Sequence, residues 1–201
     1  MKNIAAFRNV TPSAKLALVN NKIGNPSLKR NQGTSLEVYD YQKVIPGAAG
    51  VIRFFADVNT KIFPFANIQQ NQLSTGEGLA VQYIAWTRLE VTRGSGALSA
   101  FTALTQSVAE LSLAQFSILL DNSRILKNNS LARSFNDLNT NGGTANNSLW
   151  YPDTDLTIPT QIPFTVELTV PTNTDTGTDV DVYYGCHLFG TGAILNLKAN
   201  V

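Results

Sequence analysis

The stretch GLAVQYIAWTRLEVT, Gly78 to Thr92, alternates over its whole length. Leu79, Val81, Tyr83, Ala85, Leu89 and Val91 fall on one face, and Gln82, Trp86, Arg88 and Glu90 fall on the other together with Ile84. A period of two predicts a strand with one face on a core and the other more polar. The same alternation recurs on both sides of it. In SLEVYDYQKVI, Leu36, Val38 and Asp40 alternate with Glu37, Tyr39 and Tyr41, and GVIRFFADV follows the Pro46-Gly47 turn as a second strand. In PFTVELTVP, Phe164, Val166, Leu168 and Val170 oppose Thr165, Glu167 and Thr169, with Pro163 and Pro171 at the ends, where a missing N–H is tolerated. In DVDVYYGCHLFG, Val180, Val182, Tyr184, Cys186 and Leu188 oppose Asp181, Tyr183, Gly185, His187 and Phe189.

Asp121-Asn122 tolerates left-handed backbone, so Phe116–Leu120 and Ser123–Leu126 read as a tight hairpin. The run from Phe63 to Gly78 and the Asn-rich residues 127–148 read as loops. One segment has a helical period: Leu98, Phe101, Leu104, Val108 and Leu111 are spaced for a helix over Leu98–Ala114, with no Gly or Pro inside. About eight strands, one inserted helix and no βαβ rhythm predict an all-β sandwich or barrel.

The 201-residue chain is 43% hydrophobic, enough for a core, and only 14% charged. Its polarity comes from Asn, Thr, Ser and Gln, which suits surfaces buried against neighbours, where charges are costly to desolvate. The few charges are unevenly spread. Residues 1–36 hold Lys2, Arg8, Lys15, Lys22, Lys29 and Arg30 and no acid, while the remainder has nine basic and fourteen acidic residues. Residues 1–35 lack a sustained period and read as an extended basic arm in front of a β-domain at 36–201. Its six cations are either a solvated tail or a contact for a polyanion or a neighbouring subunit, the latter through Leu16, Leu18 and Ile23. No apolar run has the length of a signal peptide or a membrane span, which predicts synthesis in a cytoplasm without export by a standard signal.

Motifs that carry chemistry are sparse. Cys186 is the single cysteine, so no intrachain disulfide forms. His187, the single histidine, is its neighbour, and neighbours in a strand point to opposite faces, so the two make no dyad. A triad or a zinc site lacks further members, and both residues read as structural, Cys186 in the core and His187 on the outer face. Asp153, Asp155, Asp175, Asp179 and Asp181 offer hard oxygens for calcium, but without EF-hand order they read as turn formers. Gly94–Gly96 is a turn rather than a phosphate loop, so no cofactor is implied. Glu77, Glu90, Glu110 and Glu167 have no context that marks a glycosidase pair. Trp86, Trp150 and Tyr151 suit either stacking on sugars or packing against protein, and packing is the preferred reading.

The order of these pieces resembles the jelly-roll capsid proteins of icosahedral bacterial viruses. The stretch RFFADVN…FPFANIQQNQLSTGEGLAVQYIAWTRLEV is similar to their opening half, with Ala66-Asn67 where those proteins have a Thr-Asn. AQFSILLDNSRIL resembles their later hairpin, and LTIPTQIPFTVELTVP…DVDVYYGCHLFGTGAIL their last strand pair, with Gly190 in the following loop. The resemblance spans about residues 36–195 and is one of pattern. It implies a single jelly roll and a non-enzymatic virion protein without cofactors, either a capsid subunit or a vertex or minor shell protein. Its expected partners are copies of itself and other virion proteins, with genome or inner-shell contact through the arm. The alternative is a carbohydrate-binding, lectin-like sandwich.

Overall fold

The computed structural model describes residues 31–43, 50–61, 63–92, 98–100, 114–121, 123–131, 149–152, 156–170 and 180–195. The strands are β1 (Asn31–Lys43), β2 (Gly50–Phe54), β3 (Gly78–Thr92), β4 (Leu98–Ala100), β5 (Gln115–Leu120), β6 (Arg124–Leu131), β7 (Leu149–Trp150), β8 (Leu156–Ile158), β9 (Phe164–Val170) and β10 (Val180–Leu195). A 3-10 turn, Val58–Thr60, follows β2. The protein is an all-β sandwich of two antiparallel sheets. The first, six-stranded, runs β1-β10-β3, with β4, β7 and β8 sharing the far side of β3. The second, four-stranded, runs β2-β9-β5-β6.

The pairings are nested. β5 pairs β6, β3 pairs β7 and β8, β2 pairs β9, and β1 pairs β10. That is one long hairpin, closed at Asp121, whose left-handed φ of 52° suits a short polar side chain. The hairpin is rolled so that β10 also meets β3 and β9 also meets β5. At 15 residues β3 spans roughly 50 Å. No single neighbour covers its second side, so β8, β7 and β4 serve it in turn.

The core lies between the sheets. Phe164, Val166, Leu168 and Val170 of β9 and Val182, Tyr184, Cys186 and Leu188 of β10 are all buried there, as their alternation predicts. Rings line it in sequence: Phe54 packs on Trp86, Trp86 on Phe116 and Phe116 on Trp150, at centroid distances of 5.9, 5.5 and 4.9 Å. On β3 the alternation breaks. Phe189 pairs with Tyr83 and Gly190 with Val81, so Gln82 is an extra residue in a bulge. The bulge exchanges the faces, so Leu79 and Val81 enter the core before it and Ile84 and Trp86 after it. Tyr83 and Ala85 therefore face outward, and Trp86, read as the more polar face, is 1% exposed.

Other expectations change as well. Leu98–Ala100, the expected helix start, is strand β4, paired with Glu90 and Val91, because the end of β3 offers an unpaired ladder that overrides a weak helical spacing. Ala114 is buried and not helical, and residues 101–113 lie outside the described residues. β1 begins at Asn31, so residues 31–35 belong to the sheet and not to an arm, held by pairing with Thr191–Leu195. β6 continues to Leu131 through an Asn-rich run because β5 supplies its partner as far as Gln115. Gly190 lies inside β10 rather than in a loop. A Cβ there would stand 1.9 Å from the Ala80 carbonyl oxygen, so the close approach at the bulge requires glycine.

Candidate functional site

The outer face of the six-stranded sheet carries the densest chemistry among the described residues. On β10, Tyr183, Gly185, His187 and Phe189 point outward, flanked by Glu37, Tyr39 and Tyr41 of β1 and by Tyr83 and Thr87 of β3. Gly185 sits between Tyr41 and Thr87. A Cβ on it would come within 2.5 Å of the Tyr41 ring and 2.1 Å of Thr87 Oγ1, so the missing side chain is the space that Tyr41 fills. The Tyr41 hydroxyl thereby reaches 3.0 Å from His187 Nε2, and Thr87 Oγ1 stands 3.1 Å from the same nitrogen. Nδ1 lies 2.7 Å from Glu37 Oε1. An ionised carboxylate only accepts, so Nδ1–H donates to Glu37 and the neutral ring accepts a hydroxyl proton at Nε2.

Rings close over this group. Tyr39 stacks on His187 at 5.1 Å, Tyr41 meets it edge-on at 5.4 Å, and Phe189 stacks on Tyr83 at 4.7 Å. Burial pushes His187 below the usual imidazole value, with the Glu37 carboxylate pulling the other way. Burial, with Glu37 nearby, pushes Tyr39 and Tyr83 above the usual phenol value. A carboxylate, an imidazole and a hydroxyl in line are the parts of a proton relay. Here both hydroxyls belong to residues that are themselves buried, Thr87 and Tyr41, so neither stands open to a substrate. The group ties three strands together on one face.

A second polar cluster latches the two sheets. Asp40 is fully buried, on the same face of β1 as Val38. Its Oδ2 accepts from the Phe55 amide at 2.7 Å and from Gln42 Nε2 at 3.0 Å, and Oδ1 accepts from Lys61 Nζ at 2.6 Å. Lys61 also donates to the Tyr41 carbonyl and pairs with Asp57. Phe55 has a left-handed φ of 67°, costly for a bulky residue, and its ring packs on Phe164. Asp40 thus holds the corner where the chain leaves β2. Burial pushes the Asp40 carboxyl above the usual range despite the bonds from Lys61, the Phe55 amide and Gln42. Asp57 is more exposed; there burial is outweighed by Gln42 and Lys61, which hold it below the usual range.

The free side of β1 is covered from within the chain. Tyr41 N donates to the Phe65 carbonyl, Tyr39 N to Asn67 Oδ1, and Asn67 Nδ2 to the Glu37 carbonyl. Asn67, singled out with Ala66 in the sequence, uses its amide as one more rung of the ladder. Beyond it lies a groove of about 460 Å³ lined by Glu37, Asn67, Gln69, Gln70, Gln72 and Glu77 among others.

The remaining candidates are dispersed. Cys186 is fully buried, and burial, with the Asp40 charge nearby, pushes its thiol well up, which keeps it protonated and unreactive. Asp181 pairs with Lys43 at 2.8 Å, whereas Asp153, Asp155, Asp175 and Asp179 lie outside the described residues. Among the described residues no three carboxylate, His or Cys side chains gather as for a metal. Glu167 pairs with Arg53 at 2.9 Å, and Glu77 accepts from Ser74 N, while Glu110 lies outside the described residues. Trp86 and Trp150 are in the core and Tyr151 packs on Tyr83, so packing accounts for all three. Lys2, Arg8, Lys15, Lys22, Lys29 and Arg30 lie outside the described residues. Among the described residues no helix is long and apolar enough to cross a membrane. No family model matches the chain, and no curated protein and no solved structure is detectably similar to it.

Proposed function

We propose that the chain is a structural protein of an icosahedral bacteriophage virion, a capsid or vertex or minor shell subunit, and that its sandwich is a single jelly roll. The observation that carries this reading is the rolled hairpin. Strand orders β1-β10-β3-β7/β8 and β2-β9-β5-β6 are those that two interleaved Greek keys give, and shell proteins use that architecture. The low charge fits a surface spent on association, since interface cores are depleted in charge. In this reading the protein is not an enzyme, the Glu37–His187 cluster is structural, and the chain is made in the host cytoplasm and resides in the virion. The basic residues Lys2 to Arg30 would then reach packaged nucleic acid or a neighbour.

Size-exclusion chromatography with light scattering tests the assembly. We expect closed particles of uniform mass, and a chain that stays monomeric at every concentration would overturn the reading. Deleting residues 1–30, which stops short of β1, separates the two roles of the arm. Loss of salt-sensitive DNA binding would assign it to nucleic acid, and loss of assembly at any salt would assign it to a neighbour.

A carbohydrate-binding role has one observation in its favour. The groove beside β1 offers the carboxamides of Gln69, Gln70 and Gln72, which both donate and accept, as sugar hydroxyls require. Saturable binding on a glycan array by a monomeric chain would favour this role over the shell.

A further inference from the structure

The sheet edges are treated unequally. β1 is capped by Phe65–Asn67. The far side of β3 is divided among three short strands. β6 carries Arg124 and Lys127, and Lys127 lies over Trp150 at 5.5 Å. Charged or covered edges resist pairing with another chain. β2 has neither protection among the described residues. Among the described residues nothing pairs with its second side, its one charge, Arg53, is neutralised within its own sheet by Glu167, and a side chain on Gly50 would meet open space. Its outward residue Val51 is 55% exposed.

We propose that the free edge of β2 pairs antiparallel with β2 of a second copy about a two-fold axis at Ile52, fusing the two four-stranded sheets into one. This rests on the assembly reading above and names one of its contacts. The five residues are self-complementary in that register. Ile52, inward and packed against the core, meets the partner's Ile52 and prolongs the inner apolar layer. Phe54 meets the partner's Gly50, whose missing side chain leaves room for the ring. On the outer face Val51 meets the partner's Arg53, giving the row Glu167, Arg53, the partner's Val51, the partner's Thr169. The two arginines are never directly opposite each other, and each keeps its own carboxylate. Other occupants of an open edge gain the ladder hydrogen bonds but not this side-chain match.

Three variants of the full chain test it, each first checked for a wild-type melting curve. Val51→Lys sets a lysine opposite the partner's Arg53. We expect the concentration for half-assembly to rise about tenfold or more. Val51→Glu sets a carboxylate there, and we expect assembly to be retained. Ile125→Lys, on the guarded edge and 56% exposed, is the matched control, with no change expected. Assembly of Val51→Lys at the wild-type concentration, or loss of assembly in Val51→Glu as in Val51→Lys, overturns the pairing. Closed particles indifferent to Val51→Lys would leave the shell and remove this contact. Wild-type dimers that go no further, yet are broken by Val51→Lys, would leave the contact and remove the shell. A wild-type chain that is always monomeric overturns both.

Discussion

The two outer faces of the sandwich divide their work. On the six-stranded sheet, Glu37, Tyr39, Tyr41, Tyr83, Thr87, His187 and Phe189 bond and stack on one another, so that face is satisfied within one protomer. On the four-stranded sheet the outer positions include Val51, Arg53, Gln115, Ser117, Leu119, Ile125, Thr165, Glu167 and Thr169, which are neutral apart from the one ion pair. Of the three exposed large apolar side chains among the described residues, Val51 and Ile125 lie there, one on each edge strand, and the third is Phe63. Polar side chains that spend their hydrogen bonds internally have little left for a partner, whereas a neutral sheet with an open edge has its whole ladder to offer. The contacts of the proposed assembly are therefore to be sought at the four-stranded sheet and not at the cluster that contains His187.

The largest effect is expected where the two sheets are latched. Asp40→Ala leaves Lys61 without its buried partner and the Phe55 amide without an acceptor, which should cost about 3–5 kcal/mol. Chemical denaturation measures it, and a loss below about 1 kcal/mol would mean that the corner does not depend on this carboxylate. The faces themselves are compared by two glycines. Gly185→Ala forces a methyl into Tyr41 and Thr87 and should cost about 1–3 kcal/mol, whereas Gly50→Ala enters open space and should stay within about 0.5 kcal/mol. Equal effects would erase the contrast between a filled and an open surface. A smaller effect is expected from His187→Gln, about 1 kcal/mol at pH 7.5, for the bonds it gives up.

The same variant separates a titrating role from mere packing. His187 in the fold sits below its unfolded value of about 6.5, so below that pH the unfolded chain binds the extra proton first. Its neutral ring therefore contributes full stability above about pH 6.5, and that contribution is lost as pH falls through the unfolded value toward the folded one. Glu37, Tyr39, Tyr41 and Thr87 are the groups that face it, and the two tyrosines remain neutral throughout this range. We expect the wild-type melting temperature to fall more steeply between pH 7.5 and 5.5 than that of His187→Gln. Parallel slopes would show that the ring does not titrate in this window.

How much of this was legible in the chain depended on range. The apolar residues of β9, and those of β10 as far as Leu188, alternate regularly, so their place in the core follows from period alone. The bulge at Gln82 was not legible, because one inserted residue changes no local composition yet exchanges the faces of everything after it. β7 and β8 hold two and three residues, too few for any period, and exist because β3 needs partners. At Leu98–Ala100 the helical spacing misled for the same reason. The His187 cluster joins residues 100, 146 and 150 positions apart, so it becomes visible only once the β1-β10-β3 register is known. The basic charge of residues 1–30 was plain in the sequence, and its role rests on the assembly experiments.

Hydrogen–deuterium exchange on the dissociated and the assembled full-length protein tests the central contrast most directly. We expect the amides of β10 and of the middle of β3, paired on both sides within one protomer, to be protected in both states. Among Val51–Phe54, the alternate amides that point away from β9 should exchange fast when dissociated and become protected on assembly. Unchanged exchange at β2 on assembly would contradict the account and remove the contact from this edge.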